Sequence, residues 1–228
     1  MIKILNVLCE GKSELSFVAK VLRPYLQPYD IIARPTLLLT NRKLDARGGM
    51  LDYKQVKRDL SYLIRSTKDT DYEKNFFTTM FDLYALPPDF PGFQNSNADC
   101  YGLVKSIELA FAADINCYHF IPYIELHEFE ALVLCNLEVI KGEYPLAAKN
   151  INKLDKDWRK QYHNQAELVN TRWETAPSRR IIEALGNMYG YNKPKMGVKA
   201  TSTKGIDSLR KECPHFNQWV EQLINIHI

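Results

Sequence analysis

The stretch IKILNVLCEGKSE, residues 2–14, decides the fold class of this chain. Its first eight residues are mostly apolar, which is typical of a strand buried in the middle of an α/β sheet. The apolar run stops at Glu10 and Gly11, and Ser13 can then open a helix whose apolar residues recur at helical spacing until Pro28. A strand, a turn and a helix in this order indicate the start of an α/β sheet.

The same alternation continues over the first 137 residues. Residues 31–39, 76–82 and 117–126 are predicted strands, residues 53–66 and 99–114 are predicted helices, and residues 127–134 begin another helix. Pro35 places the second strand at an edge or bulge, because proline cannot donate to a sheet ladder. We therefore predict an α/β core over 1–137, with a central and mostly parallel sheet flanked by helices, and a mainly helical C-terminal region over 138–228 packed on it.

Composition excludes several classes of protein. With 46% hydrophobic and 25% charged residues the chain is expected to be globular, and a net charge of +3 is too small to argue for nucleic acid by itself. The five cysteines form no CxxC pair, so neither a zinc site nor a disulfide framework is indicated. The opening lacks a signal-peptide pattern and its apolar run is too short for a membrane span, so we expect a cytoplasmic protein without a membrane partner.

Acidic residues stand where three of the predicted strands end. The first strand is followed by Glu10, the third ends at Asp82, and the fourth reaches Glu125. Ligands of open α/β sheets bind beyond the carboxyl ends of the strands, and carboxylates gathered there repel one another unless a cation is present. Hard divalent cations such as Mg²⁺ or Mn²⁺ prefer oxygen ligands. The sequence thus predicts a metal site whose candidate ligands are Glu10, Glu14, Asp82, Glu128 and Glu130.

All of these acids except Glu10 have a plainer interpretation; an acid directly after an apolar strand is costly to bury unpaired. Glu14 is four residues beyond Glu10 and could be a first-turn helix acid that favours the macrodipole. Asp82 could be a turn or helix cap, and the acids at 125, 128 and 130 could form a solvated helix face. His127 lies beside them and is expected to be a hydrogen-bonded orienting residue rather than a ligand.

The strand followed by EGKSE resembles the first motif of the Toprim fold, the metal-binding domain of topoisomerases, primases and OLD-family nucleases. Its EG-x-x-E pattern is closest to the OLD-type variant. Four longer stretches resemble the DUF4276 proteins, which are usually described as Toprim-like, and the resemblance covers nearly the whole chain. These stretches are TTMFDLYALPPDFPG (78–92), FIPYIELHEFEAL (120–132), TAPSRRI (175–181) and CPHFNQW (213–219).

The Toprim pattern is incomplete at one position. Asp82 matches the first acid of the family's Asp-x-Asp motif, but Tyr84 stands where the second acid would be. Glu128, Glu130 or Asp89 could supply the missing carboxylate; alternatively the protein holds one metal or has lost catalysis.

Basic residues late in the chain complete the comparison. OLD-type nucleases carry a late lysine that stabilises the transition state, and by analogy Lys193 or Lys195 has this role here, with Arg179 and Arg180 holding the backbone of the substrate. These late basic residues could equally be solvated surface bases, and the RGG stretch at 47–49 could contact phosphate or form a flexible turn. The 13 tyrosines are expected to fill the core rather than to stack on bases.

The resemblance implies a Mg²⁺- or Mn²⁺-dependent phosphodiesterase, a nuclease acting on DNA or RNA. Glu10 would be a metal ligand or a general acid or base, and Lys193 or Arg180 would stabilise the developing charge. No P-loop pattern occurs in the sequence, so a separately encoded ATPase partner of the OLD/ABC type is implied, as in several anti-phage defence systems. The alternative is a non-catalytic effector or regulatory subunit whose degenerate site binds a partner protein or a nucleotide; primer synthesis is a weaker third possibility.

Overall fold

The computed structural model describes residues 1–39, 50, 52–93, 99–170, 175–186 and 190–227. The strands are β1 Ile2–Cys9, β2 Ile31–Leu37, β3 Glu73–Asp82, β4 Phe120–Ile121 and β5 Ile124–Glu125. The α-helices are α1 Lys12–Phe17, α2 Arg23–Leu26, α3 Tyr53–Ser66, α4 Cys100–Ile115, α5 Glu130–Leu134, α6 Leu137–Glu143, α7 Ala148–Gln161, α8 Pro177–Leu185, α9 Lys193–Lys204, α10 Ile206–Glu212 and α11 Pro214–Ile224. Short 3₁₀ turns lie at Gln27–Tyr29, Leu83–Ala85, Pro145–Ala147 and Ala166–Leu168.

The sheet has the strand order β2-β1-β3-β4, and β5 pairs with β3 beyond β4. All the strand pairs are parallel, which confirms the predicted α/β class with a mostly parallel sheet. Strand β2 lies at the edge, where Pro35 costs no ladder hydrogen bond on the outer side. The strand predicted over 117–126 is wrong in one respect: it is two short strands, separated at Pro122 and Tyr123.

Most of the predicted helices are present. The helix predicted over 53–66 has these bounds in the structure. The helix predicted from Ser13 to Pro28 is instead α1 and α2 joined by a π-helical segment, Val18–Leu22. The RGG stretch at 47–49 lies outside the described residues.

Both faces of the sheet are covered, and alternation along the strands decides which face a residue meets. Met80 packs in a core cluster with Phe17, Phe129 and the C-terminal helices, whereas Phe81 packs in a second cluster with α3 and α4. By alternation Asp82 continues the face of Met80. The carboxyl end of β3 therefore points its acid toward the layer that holds α1 and α9.

The C-terminal region shares its hydrophobic core with the strands. Buried side chains of α9 and α11, among them Met196 and Phe216, belong to the same cluster as Leu5 of β1. Within the described part of the chain, no helix is both long and apolar enough to cross a bilayer.

Candidate active site

Five carboxylates meet at the carboxyl edge of the sheet, and we call this group the acidic site: Glu10, Glu14, Asp82, Glu125 and Glu130. Asp82 and Glu125 are paired in the register of β3 and β5, so their side chains share one face. Glu10 follows β1, which lies beside β3 with Cys9 opposite Met80. The convergence expected from the sequence is therefore present in the geometry.

Backbone hydrogen bonds hold these segments together. The Glu10 carboxylate accepts the backbone N–H of Asp82, with Oε2 3.1 Å from the nitrogen. Asp82 Oδ1 in turn accepts the backbone N–H of Phe129 at 2.9 Å. Three segments that are distant in sequence are thus joined through two acids, one directly after β1 and one at the end of β3.

Glu14 is both a first-turn acid of α1 and a member of the acidic site. Burial raises the pKa of its carboxyl group, and the backbone N–H groups of Glu14 and Gly11 oppose this shift. Its side chain folds so closely over Gly11 that a Cβ atom there would lie 2.8 Å from Glu14 Oε2. The first-turn interpretation is correct as far as it goes, but the side chain is also buried.

Burial and the charges of the neighbouring acids both disfavour ionisation of Asp82. Burial and then the charge of Glu10 raise the pKa of Asp82 well above its ordinary value, with further contributions from Glu14, Glu130 and Glu125. Burial also raises the pKa of Glu10 to about 7, although the Asp82 backbone N–H opposes this shift. The five carboxylates cannot all be ionised cheaply without a compensating cation.

Glu125 is the most deeply buried member of the acidic site. Its side chain is fully buried, Oε2 accepts the hydroxyl of Tyr123 at 3.1 Å, and Oε1 has no hydrogen-bond partner among the described residues. Burial, followed by the charge of Glu167, raises the pKa of Glu125 well above its ordinary value. A buried carboxylate oxygen without a partner is costly and calls for an explanation.

Lys193 supplies the positive charge at the acidic site. Its Nζ lies 3.3 Å from Oε1 of Glu130, which is 2% exposed. Burial raises the pKa of Glu130 to about 8 despite the lysine. The same lysine opposes the upward pKa shifts of Glu10 and Glu14, so its charge acts on much of the cluster.

Lys195, the alternative predicted from the sequence, contacts a different acid. Its Nζ lies 2.5 Å from Glu143, which also binds Lys199 at 2.7 Å. Lys193 is placed by the close packing of α9, since a Cβ atom at Gly197 would lie 2.6 Å from Phe129 Cε1. The structure thus separates two lysines that the sequence left equivalent.

The remaining predicted residues lie beside the acidic site or away from it. Glu128 accepts the backbone N–H and the hydroxyl of Ser178 at 3.0 and 3.1 Å, so it holds the start of α8. Arg180 in α8 donates to the carbonyl of Thr175 and to the hydroxyl of Tyr162. Asp89 accepts the backbone N–H of Tyr53 and serves as a cap for α3.

Two of the plainer interpretations are wrong. Glu125, Glu128 and Glu130 are 0%, 9% and 2% exposed, so they do not form a solvated helix face. His127 is not a hydrogen-bonded orienting residue, because both of its ring nitrogens are buried without a partner in the described part of the chain. Burial lowers the pKa of His127 to about 4, so the ring is neutral.

The donor set of the acidic site fits a hard divalent cation. All its members supply oxygen, burial and mutual repulsion raise several of their pKa values, and Glu125 Oε1 lacks a partner within the ranges that the structure describes. A bound cation would relieve both costs. Among the described residues no three His, Cys, Asp or Glu side chains stand as a ready-made metal site. Glu10 Oε2 and Asp82 Oδ1 instead accept backbone N–H groups, and each carboxylate has a second oxygen that can contact an ion.

A cavity of about 630 Å³ lies elsewhere, between α4 and α11. Its lining includes Glu108 and His215, whose side chains pair at 3.0 Å, and none of the acidic site. Glu108 Oε1 also accepts the backbone N–H of Ile124 at 2.9 Å, so this pair supports the strand that carries Glu125. We regard the pair as structural and the acidic site as the candidate for chemistry.

Comparison with known proteins identifies a family and nothing more specific. A family model described as "Domain of unknown function (DUF4276)" matches residues 9–224. No curated protein and no solved structure matches the chain. The match includes every member of the acidic site and Lys193.

Proposed function

The chain belongs to the DUF4276 family, and from that premise and the geometry of the acidic site we propose that it is a Mg²⁺- or Mn²⁺-dependent phosphodiesterase acting on DNA or RNA. One observation carries the proposal: acids from three strand ends and two helices repel one another around Asp82 while Lys193 stands beside them. Perturbed acids gathered at the ligand-binding edge of a parallel sheet indicate chemistry more than stability.

The residues of the acidic site and Lys193 would have different roles in the reaction. Glu10, Glu14, Asp82 and Glu130 would hold the ion, which when bound polarises a phosphoryl oxygen and activates water. Glu10 has a pKa of about 7, which also suits a residue that gives or takes a proton near neutral pH. Lys193 would stabilise the charge that develops on the phosphate, while Glu128 and Arg180 hold the neighbouring helix α8 in place.

The likeness of the EG-x-x-E motif to OLD-type Toprim nucleases supports this assignment by analogy. On the same analogy we propose a separately encoded ATPase partner of the OLD/ABC type, a cytoplasmic location and a role in anti-phage defence. These proposals rest on motif resemblance, whereas the metal-dependent chemistry rests on the geometry of the acidic site.

Metal binding and cleavage test the proposed chemistry. We expect Mn²⁺ to raise the melting temperature of the parent, and we expect Glu10→Gln and Asp82→Asn to remove both this shift and metal-dependent cleavage of labelled DNA or RNA strands. Glu183→Gln, an exposed acid on α8, is the matched control and should behave as the parent. Cleavage by both acidic-site variants at the parent's rate would refute the assignment.

A second candidate function is a non-catalytic effector or regulatory subunit whose acidic site binds a partner protein or a nucleotide. Tyr84 favours it, because this residue stands where the Toprim pattern has a second acid. An Mn²⁺-induced thermal shift that Asp82→Asn removes, with no cleavage of any strand by the parent, would favour this role over the enzyme.

A further inference from the structure

Tyr84 lies just beyond the strand end that carries Asp82 of the acidic site. It lies two residues after Asp82, in the 3₁₀ turn Leu83–Ala85, and remains 37% exposed. A partly exposed aromatic ring therefore stands where the Toprim pattern has its second acid.

The His127 ring packs against one face of the Tyr84 ring. The two rings stack with centroids 5.3 Å apart and an interplanar angle of 29°, and the Tyr84 backbone N–H donates to the His127 carbonyl at 3.2 Å. The separation is within the range of offset stacked aromatic pairs. The position of Tyr84 is thus fixed by both its ring and its backbone.

The arrangement of His127 is energetically unfavourable on its own. Its backbone is left-handed, with φ of 69°, and its buried ring nitrogens lack partners among the described residues. Such features persist where the surrounding structure enforces them, and they cluster at binding and catalytic sites. Because the buried His127 ring stacks on Tyr84, the partly exposed tyrosine ring is held in place and can present a rigid aromatic face.

From this geometry we propose that Tyr84, backed by His127, is a stacking platform for an unpaired base of a single-stranded nucleic acid held at the acidic site. The inference rests on the proposed function and names its substrate class. Unpaired bases stack on aromatic side chains in single-strand binding proteins, whereas bases inside a duplex are already stacked on one another. On this view the substitution of the second Toprim acid by tyrosine exchanges a metal ligand for a base contact.

Binding measurements test the platform directly. Fluorescence anisotropy would follow labelled 12-nucleotide DNA and RNA strands with Mn²⁺, in a Lys193→Met background that slows cleavage and keeps the proposed metal ligands. Stacking contributes about 1–3 kcal/mol per base, so Tyr84→Ala should weaken binding roughly 5- to 150-fold, while Tyr84→Phe should stay within about twofold. Tyr62→Ala, at an exposed tyrosine of α3, is the matched control and should bind as the background protein does.

The ligands supply a second control. A strand of tetrahydrofuran abasic spacers should bind more weakly than a normal strand and should be insensitive to Tyr84→Ala, as should a duplex. Equal affinities of Tyr84→Ala and its background for the normal strand, an equal loss on the spacer strand, or no strand binding at all would overturn the platform.

Cleavage separates this failure from failure of the proposed function. Unchanged strand binding by Tyr84→Ala, together with metal-dependent cleavage that Glu10→Gln abolishes, would remove the platform and leave the phosphodiesterase standing. Strand binding that depends on Tyr84, without cleavage under any metal condition, would leave the platform standing and remove the phosphodiesterase.

Discussion

Raising the pH in the absence of divalent ions is expected to weaken the fold through Glu10. The pKa of Glu10 rises from 4.5 to about 7 on folding, chiefly because the carboxyl group is buried. A group whose folded pKa is raised contributes stability that is fully present below the unfolded value, here 4.5. That stability is lost as the pH rises through the folded pKa. The window of loss therefore runs from about pH 4.5 to somewhat above pH 7.

The expected loss of unfolding free energy follows from the size of the pKa shift of Glu10. At about 1.4 kcal/mol for each pH unit, moving from 4.5 to about 7 corresponds to a loss on the order of 3 kcal/mol from Glu10. Many small domains have only about 5–15 kcal/mol of total stability, so this loss should be readily measured. The glutamine of Glu10→Gln keeps an oxygen that can accept the Asp82 N–H, but its side chain cannot ionise. The variant should therefore avoid most of the loss of unfolding free energy at high pH.

Urea unfolding followed by tryptophan fluorescence, in a chelator at pH 5, 6, 7 and 8, measures this difference. The free energy of unfolding of Glu10→Gln relative to the parent should rise by about 2–3 kcal/mol between pH 5 and 8. The same difference for Glu183→Gln should stay flat. Saturating Mn²⁺ at pH 8 should restore stability to the parent, since an ion bound only by the folded state stabilises it. Parallel pH profiles for the parent and Glu10→Gln would refute the electrostatic account of the acidic site.

Two further predictions concern helix α9. Gly197→Ala should cost about 1–3 kcal/mol of unfolding free energy and reduce cleavage, because its Cβ would lie 2.6 Å from Phe129 and displace the helix that carries Lys193. The control Gly142→Ala in α6 meets nothing within 4 Å and should be neutral or stabilising, so equal urea midpoints for the two variants would contradict the packing argument. Lys193→Met should lower kcat of strand cleavage on the order of 10²-fold, whereas Lys195→Met, which loses only the pair with Glu143, should cleave as the parent does. Equal losses in the two lysine variants would mean that neither lysine has a specific role.

Much of the fold could be predicted because its determinants are local. The apolar run of β1, the proline that confines β2 to an edge and the helical period over 53–66 are each visible within a dozen residues. The gathering of Glu10, Asp82 and Glu125 could also be predicted, since parallel strands bring their carboxyl ends to one edge of the sheet.

Other features of the acidic site could not be predicted from the sequence, because they depend on tertiary packing. Lys193 and Lys195 are two residues apart in one helix, and the buried face of α9, which includes Gly197 against Phe129, decides which lysine meets the acidic site. Burial of Glu130 has the same origin, because its own sequence neighbourhood is compatible with a solvated helix. The stacking of Tyr84 on His127 joins residues 43 positions apart, and no short-range sequence pattern predicts this contact.

The central claim is that the acids of the acidic site share a divalent ion. Crystals of the protein soaked in Mn²⁺ and measured at the manganese absorption edge would locate that ion by its anomalous signal. The account predicts a peak in contact with the carboxylates of Glu10 and Asp82 that disappears in Asp82→Asn. A fully occupied peak elsewhere, or no peak at saturating Mn²⁺, would contradict it.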